Sequence, residues 1–170
     1  MRKLCAVVLC AWLVAPGAGA CGMTSKLTVF EPVAGSVPTA QADGEQAEAE
    51  LPAPVAVVTE IVRGIGPKHS TCDDTGLLSV EIQWPRGKYK LRDLGFEFKV
   101  VSGTTAYAIF PDSPIQAPID GRRGDFLFMW QEGGPSQQQP IDLQVEVRAV
   151  TRDNRRGPPT RILVRAAAGV

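Results

Sequence analysis

His69, Cys72, Asp73 and Asp74 stand as H-x-x-C-D-D, the densest group of ligand-type and nucleophile-type side chains in the 170-residue chain. Imidazole, thiolate and carboxylate together could hold a soft divalent metal. A zinc site, however, draws on several Cys or His residues at paired spacings, and this group supplies one of each. His69 is the only histidine, so any Ser-His-Asp or Cys-His mechanism would need it as base. No G-x-S-x-G elbow is present to raise a nucleophile. The other reading of the group is a polar loop in which the aspartates make turns. The chain therefore reads as a non-enzyme with no catalytic residue, no metal ligand set and no cofactor. A small metal-binding protein or hydrolase using the His69/Cys72 loop stands as a minor alternative.

A second group could bind rather than react. Arg152, Arg155, Arg156 and Arg161 fall within ten residues. Guanidinium forks match phosphate and carboxylate oxygens, so these four are candidate contacts for an anionic partner. Lipid headgroups or an anionic glycan would be natural partners, and another envelope protein is a further one. Asp153 dilutes the group, and a charged hairpin tip is the plainer reading. The whole chain carries 18 basic and 18 acidic residues, which is no footprint for nucleic acid.

Cys21 is the third reactive position, and its context sets the cellular address. Arg2 and Lys3 precede an apolar run from Leu4 to Val14, which small residues break before Cys21. That layout predicts a signal peptide over residues 1–20. The run is shorter than the roughly 20 residues a permanent span needs. Ala18-Gly19-Ala20 fits ordinary cleavage, and Ala18-Gly19-Ala20-Cys21 resembles a bacterial lipobox. The lipobox resemblance implies acylation of Cys21 and a protein anchored to a membrane, since more than one acyl chain holds stably. Gly22 in place of Asp would imply the outer membrane, facing the periplasm. The alternative is a soluble periplasmic or secreted protein. In that form Cys21 and Cys72, the two cysteines left after cleavage, would form one disulfide in an oxidising compartment. Lipid on Cys21 and a Cys21–Cys72 bond exclude each other. Without Arg2 and Lys3 the mature chain has 16 basic and 18 acidic residues, a net charge of −2.

The elements that must position these groups begin after a linker. Glu31 to Pro54 contains no aromatic residue, Lys or Arg. Such a segment buries too little apolar surface to offset the entropy of ordering. Residues 21–54 are therefore expected to form a disordered linker, averaging roughly 30 Å end to end. From residue 55 the apolar residues alternate. Val55, Val57 and Ile61 mark a first run, and Leu78, Val80, Ile82 and Trp84 a second. Leu94, Phe96, Phe98 and Val100 follow, then Tyr107 and Ile109. Phe126, Phe128 and Trp130 come next, then Ile141, Leu143, Val145, Val147 and Ala149, and finally Ile162, Val164 and Ala166. A period of two means one buried and one wet face per strand. Seven such runs between Gly- and Pro-rich turns predict an all-β protein, a seven-stranded antiparallel β-sandwich over residues 55–166 with a tail at 167–170. The predicted core is Trp84, Phe96, Phe98, Phe128, Trp130, Leu143, Val145 and Val147.

Three stretches carry a family resemblance. Leu51-Pro52-Ala53-Pro54 resembles the Pro-rich entry to fibronectin type III domains, which are immunoglobulin-like sandwiches. Leu78 to Pro85 is similar to their second strand, with its core Trp followed by Pro. Leu143 to Val150 is similar to their sixth strand, and Gly157-Pro158-Pro159-Thr160 fits the turn into the last. Leu143 stands where those domains carry a tyrosine, so the tyrosine corner is absent. Arg123-Gly124-Asp125 is a tripeptide that some adhesive modules of this family display, here placed just before a strand. The resemblance implies a module for binding, spacing or adhesion. Function on this reading is a lipid-anchored envelope protein whose sandwich binds or supports a partner, with a soluble adhesion module as the alternative.

Overall fold

The computed structural model describes residues 25–33, 35, 51–66 and 72–169. Among them nine strands form two antiparallel sheets. In chain order these are β1 (Thr28–Val29), β2 (Val55–Val62), β3 (Thr75–Gln83), β4 (Gly95–Thr104), β5 (Ile115–Gln116), β6 (Ile119–Asp120), β7 (Arg123–Gln131), β8 (Ile141–Val150) and β9 (Thr160–Ala166). One sheet has the order β1-β5-β4-β8-β9 and the other β2-β3-β7-β6. Two one-turn 3-10 helices, Leu91–Asp93 and Pro135–Gln137, lie in connections, and no α-helix occurs among the described residues.

The alternation seen in the sequence builds the core. Leu78, Val80 and Ile82 of β3 and Phe126, Phe128 and Trp130 of β7 point inward from one sheet. Phe96 and Phe98 of β4 and Leu143, Val145 and Val147 of β8 meet them from the other, and all belong to one buried cluster. Every residue of the predicted core is buried. Phe96 sits edge-on to Phe126 with centroids 5.5 Å apart, and Phe98 edge-on to Phe128 at 4.8 Å. Such pairs add about 0.5–1.5 kcal/mol beyond burial alone. Gly76 lies opposite Trp130 in the β3–β7 ladder. A Cβ there would come within 2.2 Å of the indole, so only glycine lets the ring lie across the strand.

The strand inventory differs from the expected seven in four places. Tyr107 and Ile109 do not form a strand; they belong to a connection between β4 and β5. There the Tyr107 hydroxyl accepts from the Gln139 N–H at 2.9 Å. The other three are β1, β5 and β6, which are two residues long and too short to carry a period. Strand β2 is present, but its parity is inverted. Val55 and Val57 are 51% and 54% exposed, while Ala56 is buried. A bulge between Val58 and Glu60 then shifts the phase, so that Ile61 packs on the core.

Parts of the expected linker are built into the fold. Strand β1 pairs with β5, Thr28 opposite Gln116. The Phe30 N–H donates to the Pro114 carbonyl at 2.8 Å, and that of Val33 to the Arg152 carbonyl at 2.8 Å. Phe30 and Leu51 are buried. Phe30 covers Gly95, where a Cβ would stand 2.4 Å from the ring. The tail is also tied down: the Ala167 carbonyl accepts from Arg63 and the Gly169 N–H donates to Gln138 Oε1. The signal peptide over residues 1–20 and most of 34–50 lie outside the described residues.

Candidate anion-binding cleft

Four cations gather where β3 hands over to β4. The connection Trp84–Leu94 crosses from one sheet to the other. Along it, Arg86, Lys88, Lys90 and Arg92 alternate with Gly87, Tyr89 and Leu91. The parity sends Leu91 into the core while Arg86, Lys90 and Arg92 stay exposed. Trp84 anchors both ends. Its backbone N–H donates to the Arg122 carbonyl at 2.8 Å, and its indole N–H to the Tyr89 carbonyl at 2.9 Å. The facing wall is the β6–β7 hairpin. Asp120 pairs with Arg123, so Gly121 and Arg122 form a two-residue turn. Gly121 takes φ +59, a conformation glycine adopts without cost.

Between these walls is a cleft of about 700 Å³, within the usual size of small-molecule sites. Arg86, Lys90, Arg92 and Arg122 line it together with Trp84, Leu91 and Ile119, and no carboxylate does. Asp93 and Asp120 lie beside it, both exposed and neither lining it. Convergent cations over an apolar floor can hold an anion.

The arginines singled out in sequence are placed differently. Arg156 is forked onto Glu97, with Nε 2.9 Å and Nη2 2.6 Å from Oε1, and its Nη1 lies 3.0 Å from Asn154 Oδ1. Arg161 lies across Glu146 at 3.0 Å. Arg155 meets Asp153 at 2.9 Å and also reaches the Tyr89 hydroxyl. Arg152 lies 5.7 Å over the Phe30 ring. Three of the four are thus neutralised by carboxylates of the chain, and the fourth is engaged on an aromatic face. Glu146 also receives Arg148 at 2.8 Å. That hydrogen bond first, and the one from Arg161 next, hold its carboxyl below the ordinary value, with burial opposing. Asp153 is lowered as well, chiefly by the Thr151 hydroxyl.

Among the described residues, no reactive group assembles at the Cys72 loop. Cys72 is disulfide-bonded, so its sulfur is neither nucleophile nor metal ligand. Cys5, Cys10 and Cys21, the other cysteines of the chain, lie outside the described residues, as does His69. No group of three or more His, Cys, Asp or Glu residues converges among the described residues. Residues 72–74 lie in a turn closed by the Thr75 N–H on the Cys72 carbonyl at 3.0 Å, while the Asp73 and Asp74 carbonyls accept the backbone N–H groups of Ile65 at 2.7 Å and Glu132 at 2.8 Å. Arg123-Gly124-Asp125 lies within β7, paired to β3 and β6, with Gly124 buried. It is not a displayed loop.

Two features escaped the sequence reading. One is the cleft itself, whose signal is a cation at every second position from 86 to 92 with no acid between. The other is a buried ion pair, Arg63 Nε to Glu132 Oε1 at 2.7 Å. Both residues are 7% exposed. Arg63 also donates to the Gln139 and Ala167 carbonyls, each at 2.7 Å, and Glu132 accepts from the Gly64 N–H at 2.8 Å and the Trp130 indole at 3.2 Å. Arg63 and Glu132 are 69 residues apart, so no spacing along the chain marks the pair. The network is fully paired and closed to solvent, which suits a structural role. No protein-family model, curated protein or solved structure matches the chain.

Proposed function

We propose that this is an exported protein of the bacterial cell envelope whose sandwich is a binding module, with the cleft between Trp84–Arg92 and the β6–β7 hairpin as its binding face. The observation that carries the reading is the set of four lining cations without a lining carboxylate, in a domain where three arginines of the other cluster are paired with carboxylates. Strand order supports an immunoglobulin-like type. The order β2-β3-β7-β6 corresponds to A-B-E-D of such domains and β4-β8-β9 to C-F-G. Strand β5 extends the second sheet beside β4. Fibronectin type III-like modules commonly bind rather than catalyse, and fold alone does not decide function.

The form of attachment has two readings, each with its own support. Cleavage before Cys21 would leave Cys21 and Cys72 as the only cysteines, so the disulfide at Cys72 supports a soluble periplasmic or secreted protein. The lipobox-like Ala18-Gly19-Ala20-Cys21 supports a lipid on Cys21 and anchoring at the outer membrane. With Cys21 as its partner, that disulfide would favour the soluble form. Intact mass of the mature protein, taken separately from membrane and soluble fractions, tests this. A soluble chain that begins at Cys21 and is lighter by two hydrogens is the expected result. Added acyl mass on Cys21 in the membrane fraction would replace it with the anchored reading.

A further inference from the structure

We infer that the cleft takes an anionic amphiphile: a molecule with an apolar body adjoining a phosphate group, such as a single anionic phospholipid. The inference rests on the reading of the cleft as the binding face and adds the class of ligand.

The lining decides between ligand classes. A glycan needs side chains that bond hydroxyl groups, together with an open aromatic face. No Asp, Glu, Asn, Gln, Ser or Thr lines the cleft. Its aromatics are occupied: Trp84 is buried with its indole N–H engaged on Tyr89. The Tyr89 ring carries Arg155 at 5.8 Å and Lys88 at 5.7 Å. A small inorganic anion would use only the cations, and exposed charge pairs are worth little by themselves. The apolar floor would stay wet. Ile119 is 41% exposed, a branched aliphatic chain facing solvent between cations. Leu91 and Ile119 also wall a small recess that runs on to Leu94, Phe96 and Phe126. An apolar body laid on Ile119 and Leu91 removes that surface from water, and its anion then meets Arg86, Lys90, Arg92 and Arg122. Guanidinium groups are the better phosphate binders of the two cation types, and three of the four are Arg.

The test is a titration of the purified protein followed by NMR. The ligands are dihexanoyl phosphatidylglycerol dispersed as monomers, the zwitterionic dihexanoyl phosphatidylcholine, glycerol 3-phosphate and a uronic-acid oligosaccharide. The first supplies an apolar body and a net anion together, the second the same body with its phosphate offset by a choline cation, the third the anion alone, and the last is the glycan. We expect saturable shifts at the Trp84 indole, Ile119 and Arg122 with phosphatidylglycerol. Binding of the other three should be weaker by about tenfold or more, because each lacks either the net anion or the apolar body. The exposed double variant Arg86→Ser/Arg122→Ser should lose the shifts, while Lys99→Ser/Arg165→Ser, of equal net charge, should keep them. Equal binding of glycerol 3-phosphate, of phosphatidylcholine or of the oligosaccharide overturns the inference. So does equal loss in both variants, or a shift map elsewhere on the domain. Monomeric ligand reads the cleft and not any anchor, so this result and the mass measurement fail independently.

Discussion

Two carboxylates show how environment sets a residue's role. Glu146 is the hub of the outer face of the five-stranded sheet, held by Arg148 and Arg161. Its folded form titrates below the ordinary value near 4.5. A lowered carboxyl contributes stability that is present above the unfolded value and is lost as pH falls through the folded one. Unfolding midpoints measured from neutral pH down into acid should therefore fall below about pH 4.5, and Glu146→Gln should flatten that part of the profile. Glu132 is as buried as Glu146 and differs in its partner, because Arg63 is buried with it while Arg148 and Arg161 reach solvent. Removing one partner leaves an uncompensated charge, so Arg63→Met should cost about 3–5 kcal/mol in urea unfolding. The double change Arg63→Met/Glu132→Leu should recover only part of it, because it removes the unpaired charge but leaves the Gly64 N–H and the Trp130 indole without their acceptor. Sequence reading found neither residue of that pair. It did find the arginines at 152 to 161, yet their pairing with Glu97 and Glu146 depends on strand register that spacing along the chain does not contain.

Among the elements, long strands were legible and short ones were not. Strand β8 alternates over ten residues, and its inward face was assigned correctly. Strand β2 was located, but its outward valines were taken as the guide to its face. An edge strand with a bulge can bear apolar residues on the wet side, and Ala56 gives little signal of being the buried one. Strands β5 and β6 exist only because β4 and β7 offer them edges. The N-terminal strand was missed for a related reason: its segment has a single large anchor, Phe30, and the seat for that anchor is an absence, the missing side chain of Gly95. Gly95→Ala should push Phe30 off and release β1, read as faster amide exchange at Thr28 to Phe30. Phe30→Ala should destabilise by about 3 kcal/mol or more. Gly76→Ala strikes Trp130 instead and should lower the thermal midpoint by several degrees, with loss of near-ultraviolet dichroism from the displaced indole.

At the scale of the whole molecule, the sandwich is polarised. The end built from the β3–β4 connection and the β6–β7 turn carries a cleft lined by four cations and no carboxylate, although the chain as a whole is neutral by formal count. Net charge therefore concealed the site, and the local run from Arg86 to Arg92 is where it was written. Raising salt from about 0.05 M to 1 M should weaken ligand capture at this end, since exposed charges are screened over a few ångströms at the higher value. The buried pair at Arg63 and Glu132 should not respond. The route of the chain into the fold also has a mechanical consequence. The segment arriving from the N-terminal side is held by β1 through two residue pairs to β5 and by the Phe30 ring, whereas β8 is locked on both flanks by long ladders. A load applied from that side is met first by one of the shortest ladders in the domain. Strand β1 peels away before the sheets part, and each residue freed pays out up to about 3.4 Å of slack. The cleft, formed by elements downstream of that ladder, keeps its shape while the chain leading to it lengthens, so the protein can stretch without letting go.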